Sequence, residues 1–125
     1  MVSSIYSTNA AQHRNPVPNA AIHKGLLVTS GILGKELDTD NYPYTAKRQI
    51  ELAFQYLVEI LRDAGATPDD VVKLDLFFAD KSDRPIANSY WLDLWPDETK
   101  RPARQAHLST LPEGCKFQIV AMAVL

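Results

Sequence analysis

At 125 residues, 46% apolar and 22% charged, the chain is predicted to fold as one globular domain spanning residues 1–125. Its formal net charge of −2 excludes an electrostatic basis for binding nucleic acid or anionic membranes, and its single cysteine, Cys115, excludes an internal disulfide and a cysteine-based zinc site. Residues 1–4 lack a secretory signal pattern and no apolar run approaches membrane-spanning length, so the expected location is the cytoplasm.

The first third of the chain is predicted to form short strands joined by loops. The predicted strands are Ile5–Thr8, Ala20–His23 and Leu26–Ser30, the last being a continuous apolar and β-branched run. The polar segment His13–Asn19 is predicted to be a loop, because its two prolines remove backbone hydrogen-bond donors. A second polar loop, Gly34–Pro43, carries three acidic residues.

Two helices are predicted in the middle of the chain. The segment Tyr44–Ala64 has apolar residues at steps of four, three and four, which form one helical stripe: Ile50, Phe54, Leu57 and Leu61. Gly65 fits the left-handed stop after its last turn. A second helix is predicted to begin after a cap at Ser82 or Asp83 and to end at Trp95, just before a proline.

Three further strands complete the prediction: Val71–Ala79, Ala103–Thr110 and Lys116–Val124. Side chains alternate along the strand Val71–Ala79. One face is predicted to carry the apolar residues Val72, Leu74, Leu76 and Phe78, and the other face Lys73, Asp75 and Phe77. The order of elements predicts an α+β fold, with a mixed β-sheet and two helices packed on one face.

The last strand has two apolar faces. One face carries Phe117, Ile119, Ala121 and Ala123, and the other carries Val120, Met122 and Val124. Helices in so short a chain can cover only one face of the sheet. We therefore expect a second copy of the same chain to cover the other face, which predicts a homo-oligomer.

Arg104 is the strongest candidate for ligand binding. It lies inside a predicted strand, where a guanidinium is costly to bury unless an anion pairs with it. A fixed arginine offers the bidentate geometry that a carboxylate needs, so a small organic acid is the indicated ligand. The alternative is a structural ion pair with Asp75 or Asp93.

The remaining reactive side chains favour structural roles. Because side chains alternate along a strand, His107 is expected on the face opposite Arg104, as a sheet-face or interface histidine. His13 and His23 have no spacing that indicates a metal site with it. Cys115 stands in a turn without a positioned partner and is expected to be an ordinary thiol. Two tryptophans, Trp91 and Trp95, are expected in packing, with a place at a cleft mouth as the alternative.

Five segments between Ala20 and Val124 carry a family resemblance, in their order and spacing. They are Leu27-Val28-Thr29-Ser30-Gly31, Ala64–Lys73, Ala87-Asn88-Ser89-Tyr90, Arg101-Pro102-Ala103-Arg104 and Ala121-Met122-Ala123-Val124. Together they resemble the YjgF/RidA family, the reactive intermediate (imine/enamine) deaminases, formerly called endoribonuclease L-PSP.

The resemblance implies a chorismate-mutase-like fold and a homotrimer with ligand clefts at the subunit interfaces. Arg104 matches the arginine that binds the substrate carboxylate, and Ala106, Ser30 and Gly31 match positions that line the same cleft. Asn88 matches an asparagine near it. The implied reaction is attack of water on a 2-imino acid or its enamine tautomer, giving a 2-oxo acid and ammonia without metal or organic cofactor.

The chain departs from the family pattern at three positions. The typical tyrosine before the first long strand falls near Val17 or Pro18, and the typical cysteine after the arginine is Ala106. The glutamate on the last strand, thought to orient or deprotonate water, is aligned with Val120. Gln118 lies on the same strand face and could hold a water, although an amide is no base.

The sequence also allows two other functions. The same cleft could bind a 2-oxo acid or another short carboxylate without turnover, and Val120 favours this alternative. The family's older name also indicates an RNA-cleaving translation inhibitor. The acidic composition and the lack of a basic stripe argue against that reading.

Overall fold

A computed structural model describes residues 1–125 of the chain, as seven strands and two α-helices. In chain order they are β1 Ser3–Ile5, β2 Ala20–His23, β3 Leu26–Thr29, β4 Ile32–Leu33, α1 Ala46–Asp63, β5 Val71–Phe78, α2 Arg84–Leu94, β6 Ala103–Leu108 and β7 Phe117–Val124. The predicted α+β fold is confirmed.

All seven strands belong to one mixed sheet. Its order is β1-β2-β3-β7-β5-β6, with β4 also paired to β7. Only β5 and β6 run parallel, because α2 carries the chain from the end of β5 back to the start of β6. The outer edge of β6 has no partner strand within the chain.

The two helices cover one face of the sheet. Inward residues of β5 and β7 are buried beneath them, including Leu74, Leu76 and Ile119. Phe54 of α1 lies with its ring centroid 6.0 Å from that of Phe117, which places the core between α1 and β7. The predicted apolar stripe of α1 is confirmed, since all four of its residues are buried: Ile50, Phe54, Leu57 and Leu61.

Local signals fix both ends of α1. The Thr45 side chain accepts a hydrogen bond from the Arg48 amide, so it caps the first turn. Gly65 follows the last turn with a φ of 78°, which confirms the predicted left-handed stop. The helix begins two residues later than predicted, at Ala46.

The sheet face opposite the helices, here called the open face, is not covered within the chain. It carries side chains of β3 and β7 that alternate with the buried set: Val28, Gln118, Val120, Met122 and Val124. Met122 is 40% exposed and Val124 is 52% exposed. The predicted division of β7 into two apolar faces is therefore confirmed. None of the helices combines the length and apolar character needed to cross a membrane.

Three further details differ from the sequence prediction. The first strand is Ser3–Ile5 rather than Ile5–Thr8, because the Asn19 side chain accepts the Ser7 amide at 2.9 Å and removes it from strand pairing. A pairing shift between Val71 and Lys73 turns Val72 outward, so Val71 is buried in its place. Strand β4 was not predicted, since two residues carry no periodic signal.

Candidate functional site

Arg104 lies on β6 with its side chain on the helix side of the sheet. It is paired in parallel register with the buried Leu74, and its guanidinium carbon is 5.1 Å from the ring centroid of Trp91 on α2. It makes no ion pair and no side-chain hydrogen bond within the chain, although it is only partly exposed. Burial lowers the pKa of Arg104, and the nearby Arg84 lowers it further.

The alternative ion pairs of Arg104 are wrong. Asp75 lies on the open face, where its Oδ1 is 2.9 Å from Nε2 of His107 and 3.7 Å from Nζ of Lys73. Asp93 forms no ion pair with any residue. The Arg104 guanidinium therefore keeps its donors free, held against an aromatic ring that stabilises the cation.

His107 and the tryptophans lie where their patterns indicate. His107 is on the face opposite Arg104 and stacks on Phe77, with 4.6 Å between ring centroids. Trp95 is buried, and its indole donates a hydrogen bond to the Pro68 carbonyl at 3.0 Å. Trp91 is also buried and combines packing with support of the Arg104 guanidinium.

Ala106 and Asn88 accompany Arg104 at this edge of the molecule. Ala106 pairs with Leu76, so it shares the face of Arg104, and the outer edge of its strand is unpaired. Asn88 is exposed on α2, one turn before Trp91, and its side chain makes no hydrogen bond within the chain.

Ser30 and Gly31 lie at the end of β3, in a different part of the molecule. The Ser30 amide donates to the Asn19 carbonyl at 2.9 Å, which fixes the backbone there. Gly31 contacts the side chain of Gln118, and a Cβ at position 31 would lie 2.8 Å from Gln118 Oε1. A cavity of about 630 Å³ opens beside Gly31 and Gln118, and its wall also includes His13, Lys35 and Tyr42. Ser30 does not line it.

Gln118, rather than Val120, provides the polar side chain at Gly31. Its Nε2 is 3.8 Å from Sγ of Cys115, so its oxygen is directed to the Gly31 side. Val120 does not line the cavity. Val120, which is aligned with the family glutamate, therefore lies away from Gly31. Gln118, two residues earlier on the same strand face, is the side chain that contacts Gly31.

Two titratable side chains in the wall of this cavity, His13 and Tyr42, have shifted pKa values. Burial lowers the pKa of His13, a backbone contact with Gly31 partly opposes this, and the Lys35 charge lowers the pKa further. His13 is thus neutral at pH 7. Burial raises the pKa of the Tyr42 phenol, with the Cys115 thiol contributing, so Tyr42 stays protonated. Cys115 is buried in a hydrogen-bonded setting, with its Sγ 3.5 Å from the Phe117 carbonyl.

One copy of the chain does not bring these two groups of residues together. Gly31 lies at the end of β3 and Arg104 lies on β6, and strands β7 and β5 stand between them. Three strand spacings correspond to about 14 Å. The Gln118 side chain lies on the open face, whereas that of Arg104 lies on the helix side. The predicted site residues therefore lie in two separate groups on one copy, which are called here the Arg104 half-site and the Gly31 half-site.

Comparisons with known proteins give a consistent result. The family model described as Endoribonuclease L-PSP matches residues 7–125. A RutC family protein of Leuconostoc mesenteroides subsp. cremoris is 27% identical over 124 residues, which cover 96% of this chain and 95% of the relative.

Solved structures agree with the family match. The Rid family protein YyfA of Yersinia pestis is 26% identical with a TM-score of 0.90, covering 100% of both chains. RidA of the Antarctic bacterium Psychrobacter sp. PAMC 21119 is 26% identical with a TM-score of 0.90, covering 98% of this chain and 99% of its own.

Proposed function

The chain belongs to the endoribonuclease L-PSP family, which is the YjgF/RidA family, and from this premise we propose that it is a hydrolytic deaminase of carboxylate-bearing imines and enamines. Water and the imine give a 2-oxo acid and ammonia. The proposal includes a cytoplasmic location and no requirement for a metal or organic cofactor.

The unpaired guanidinium of Arg104 carries this proposal. A partly buried cation without an anion is costly in a folded chain unless it serves a ligand. The planar fork of an arginine donates two parallel hydrogen bonds to a carboxylate, and the Trp91 ring holds it in one orientation. A 2-imino acid has its carboxylate directly beside the reacting carbon, so anchoring the acid also places that carbon.

We propose that the chain assembles as a homotrimer, because the two half-sites of one cleft must come from different copies. The Arg104 half-site lies at the free edge of β6, and the Gly31 half-site lies beyond two intervening strands. A neighbouring copy that packs against the open face could bring its own half-site to the edge of the first copy. The exposed apolar side chains of the open face, Met122 and Val124 among them, support burial between copies.

The proposed chemistry depends on orientation more than on proton transfer. The Gln118 amide and the Gly31 backbone would position the imine nitrogen and the attacking water, which adds to the imine carbon. The resulting tetrahedral adduct expels ammonia as its carbon–nitrogen bond breaks and the carbonyl forms. Such imines already hydrolyse in water. Orientation of the reactants and polarisation of the imine, together lowering the activation free energy by about a few kcal/mol, are therefore enough for catalysis.

The test is deamination of 2-iminobutyrate and 2-aminoacrylate generated in situ, followed as release of ammonia and 2-oxo acid. We expect the wild type to accelerate release over the enzyme-free rate. Arg104→Ala should lose about tenfold or more in kcat/KM, because a charge-assisted pair is worth about 1.5–3 kcal/mol. Arg104→Lys should recover little, since an ammonium lacks the planar fork.

Arg62→Ala serves as the matched control. Arg62 is an exposed arginine on α1 that pairs with Glu59 and lies outside both half-sites. Its loss should leave the rate unchanged. Equal acceleration by wild type and Arg104→Ala would reject Arg104 as the carboxylate anchor, and no acceleration by the wild type would reject the deaminase.

A second candidate function is a binding module for small carboxylates. One observation favours it: the polar side chain at Gly31 is the amide of Gln118, which cannot deprotonate water. Binding of 2-oxobutyrate that depends on Arg104, together with an unaccelerated imine, would establish this alternative.

A further inference from the structure

We infer that the cavity beside Gly31 holds a second carboxylate subsite built on Lys35, so that the preferred substrates are imines or enamines of dicarboxylic acids. The inference rests on the proposed function, because Arg104 would bind the carboxylate next to the reacting carbon. Lys35 would bind the distal carboxylate of the same molecule.

The backbone at Lys35 is held by the packing of α1. A Cβ at position 34 would lie 2.1 Å from the Gln49 carbonyl oxygen, so only glycine permits this close approach of β4 to the helix. The Tyr56 hydroxyl, also on α1, donates to the Lys35 carbonyl at 2.5 Å. These two contacts fix where the Lys35 side chain begins.

The Lys35 side chain is almost completely withdrawn from solvent, with 6% of it exposed. Its ammonium has no hydrogen-bonded partner in the chain. The nearest carboxylate oxygen, Oδ1 of Asp40, is 3.9 Å away, and the Tyr42 ring centroid is 5.1 Å away. The Asp40 side chain is 60% exposed, and an ion pair of this length to an exposed carboxylate contributes little.

The Lys35 ammonium has access to solvent, and Lys35 lines the cavity. Every side-chain nitrogen or oxygen without access to solvent has a hydrogen-bond partner in this structure. Lys35 Nζ has none, so it must reach the surface, and Lys35 lines the same cavity as Gly31 and Gln118. The Lys35 ammonium has three hydrogen-bond donors, none of them bound to an acceptor in the chain, and it lies beside the proposed reaction centre.

With Lys35 included, the charged groups of the cavity sum to zero. Arg14 adds a positive charge, Asp40 and Glu113 add two negative charges, and His13 is neutral at pH 7. The cavity therefore has no general attraction for anions, and selection depends on the one buried cation. An anion that reaches Lys35 would replace a weak ion pair with a direct charge-assisted hydrogen bond.

The experiment measures dissociation constants of product-like 2-oxo acids by calorimetry, with no turnover required. Four- to six-carbon 2-oxo diacids are compared with 2-oxo monoacids of equal carbon number and with the corresponding ω-amides. We expect at least one diacid to bind the wild type about tenfold or more tightly than its monoacid and its amide.

Three variants locate this preference. Lys35→Met keeps the volume of a buried side chain and should remove the preference by weakening diacid binding. Asp40→Asn should strengthen diacid binding, because the competing carboxylate is lost. Lys116→Met is the matched control: Lys116 also lies over a tyrosine ring, with its Nζ 5.7 Å from the Tyr44 centroid, but outside the cavity.

The outcomes separate this inference from the proposed function. Diacids that bind no more tightly than monoacids, or a preference that survives Lys35→Met, would overturn the Lys35 subsite. Monoacid binding that survives Arg104→Ala would instead overturn the Arg104 clamp, whatever Lys35 does. Measured melting temperatures of the variants identify any loss of binding that is caused by unfolding.

Discussion

At the scale of single residues, Arg104 and Lys35 are both positively charged side chains that are largely withdrawn from solvent. Each is a cation withdrawn from water without a hydrogen-bonded anion, and each is held by an aromatic ring, Trp91 for one and Tyr42 for the other. Desolvation of a charge is unfavourable, and contact with an aromatic ring offsets only part of that cost. Both cations are therefore best explained by ligands that arrive with negative charge.

Gln118→Glu is expected to increase the rate of imine hydrolysis. The side chain that contacts Gly31 would then end in a carboxylate, which can accept a proton from water, and acid–base assistance contributes about a hundredfold or more in favourable cases. The gain should disappear as pH falls through the pKa of the new carboxyl, and kcat measured between pH 4 and 8 would reveal it.

Val120→Glu is the control for that substitution. It places the same group on the same strand two residues away, where the side chain does not line the cavity. We expect no increase in kcat. An equal gain at both positions would mean that contact with Gly31 does not decide where water is activated.

Sequence reasoning identified Arg104 as a candidate binding residue but did not identify Lys35, for a physical reason. A guanidinium inside a strand is conspicuous in the sequence, and its unpaired state follows once His107 and Lys73 occupy Asp75. The burial of Lys35 depends on α1 approaching Gly34, a contact between distant parts of the chain. No local pattern in a polar loop indicates such a contact.

At the scale of elements, the close packing of β4 against α1 shapes the Gly31 half-site. Gln49 is central to it, because its amide donates to the Pro43 and Gly114 carbonyls and accepts from the Lys116 amide. One buried side chain thus ties the start of α1 to the turn before β7. The sequence predicted α1 and β7 but not this connection, since a glutamine in a helix is usually exposed.

Gly34→Ala is expected to destabilise the fold. Its Cβ would overlap the Gln49 carbonyl, and relief requires a shift of α1, which costs about 1–3 kcal/mol or more for overpacking of this kind. Urea unfolding measures the change in free energy. Gly31→Ala is the matched comparison, because its Cβ meets the flexible end of Gln118 and the fold should lose less. Equal losses at both positions would contradict the packing argument.

At the scale of the whole molecule, the open face and the outer edge of β6 are the two surfaces that the chain leaves uncovered. Helices cover one side of the sheet, and the apolar side chains of β7 remain uncovered on the other. The predicted strand faces of β7 identified this surface correctly from alternation alone. They could not show that the two half-sites lie apart, because strand order depends on pairing between distant segments.

Met122→Glu is expected to dissociate the proposed homotrimer and to abolish the proposed deaminase activity together. A carboxylate on the open face would have to be buried without a partner if copies pack there. Sedimentation velocity gives the mass of the assembly. Leu37→Glu, which changes an exposed leucine in the loop before α1, should alter neither property. A monomeric but fully active Met122→Glu protein would show that one chain suffices.

The separation of the half-sites also has a genetic consequence. In the proposed ring each copy contributes to two clefts, one through its Arg104 edge and one through its Gly31 edge. A defective copy that still assembles would therefore damage clefts shared with normal copies, so its allele would act dominantly. Two alleles defective at opposite edges could partly rescue each other, because some clefts in a mixed ring would receive two intact halves.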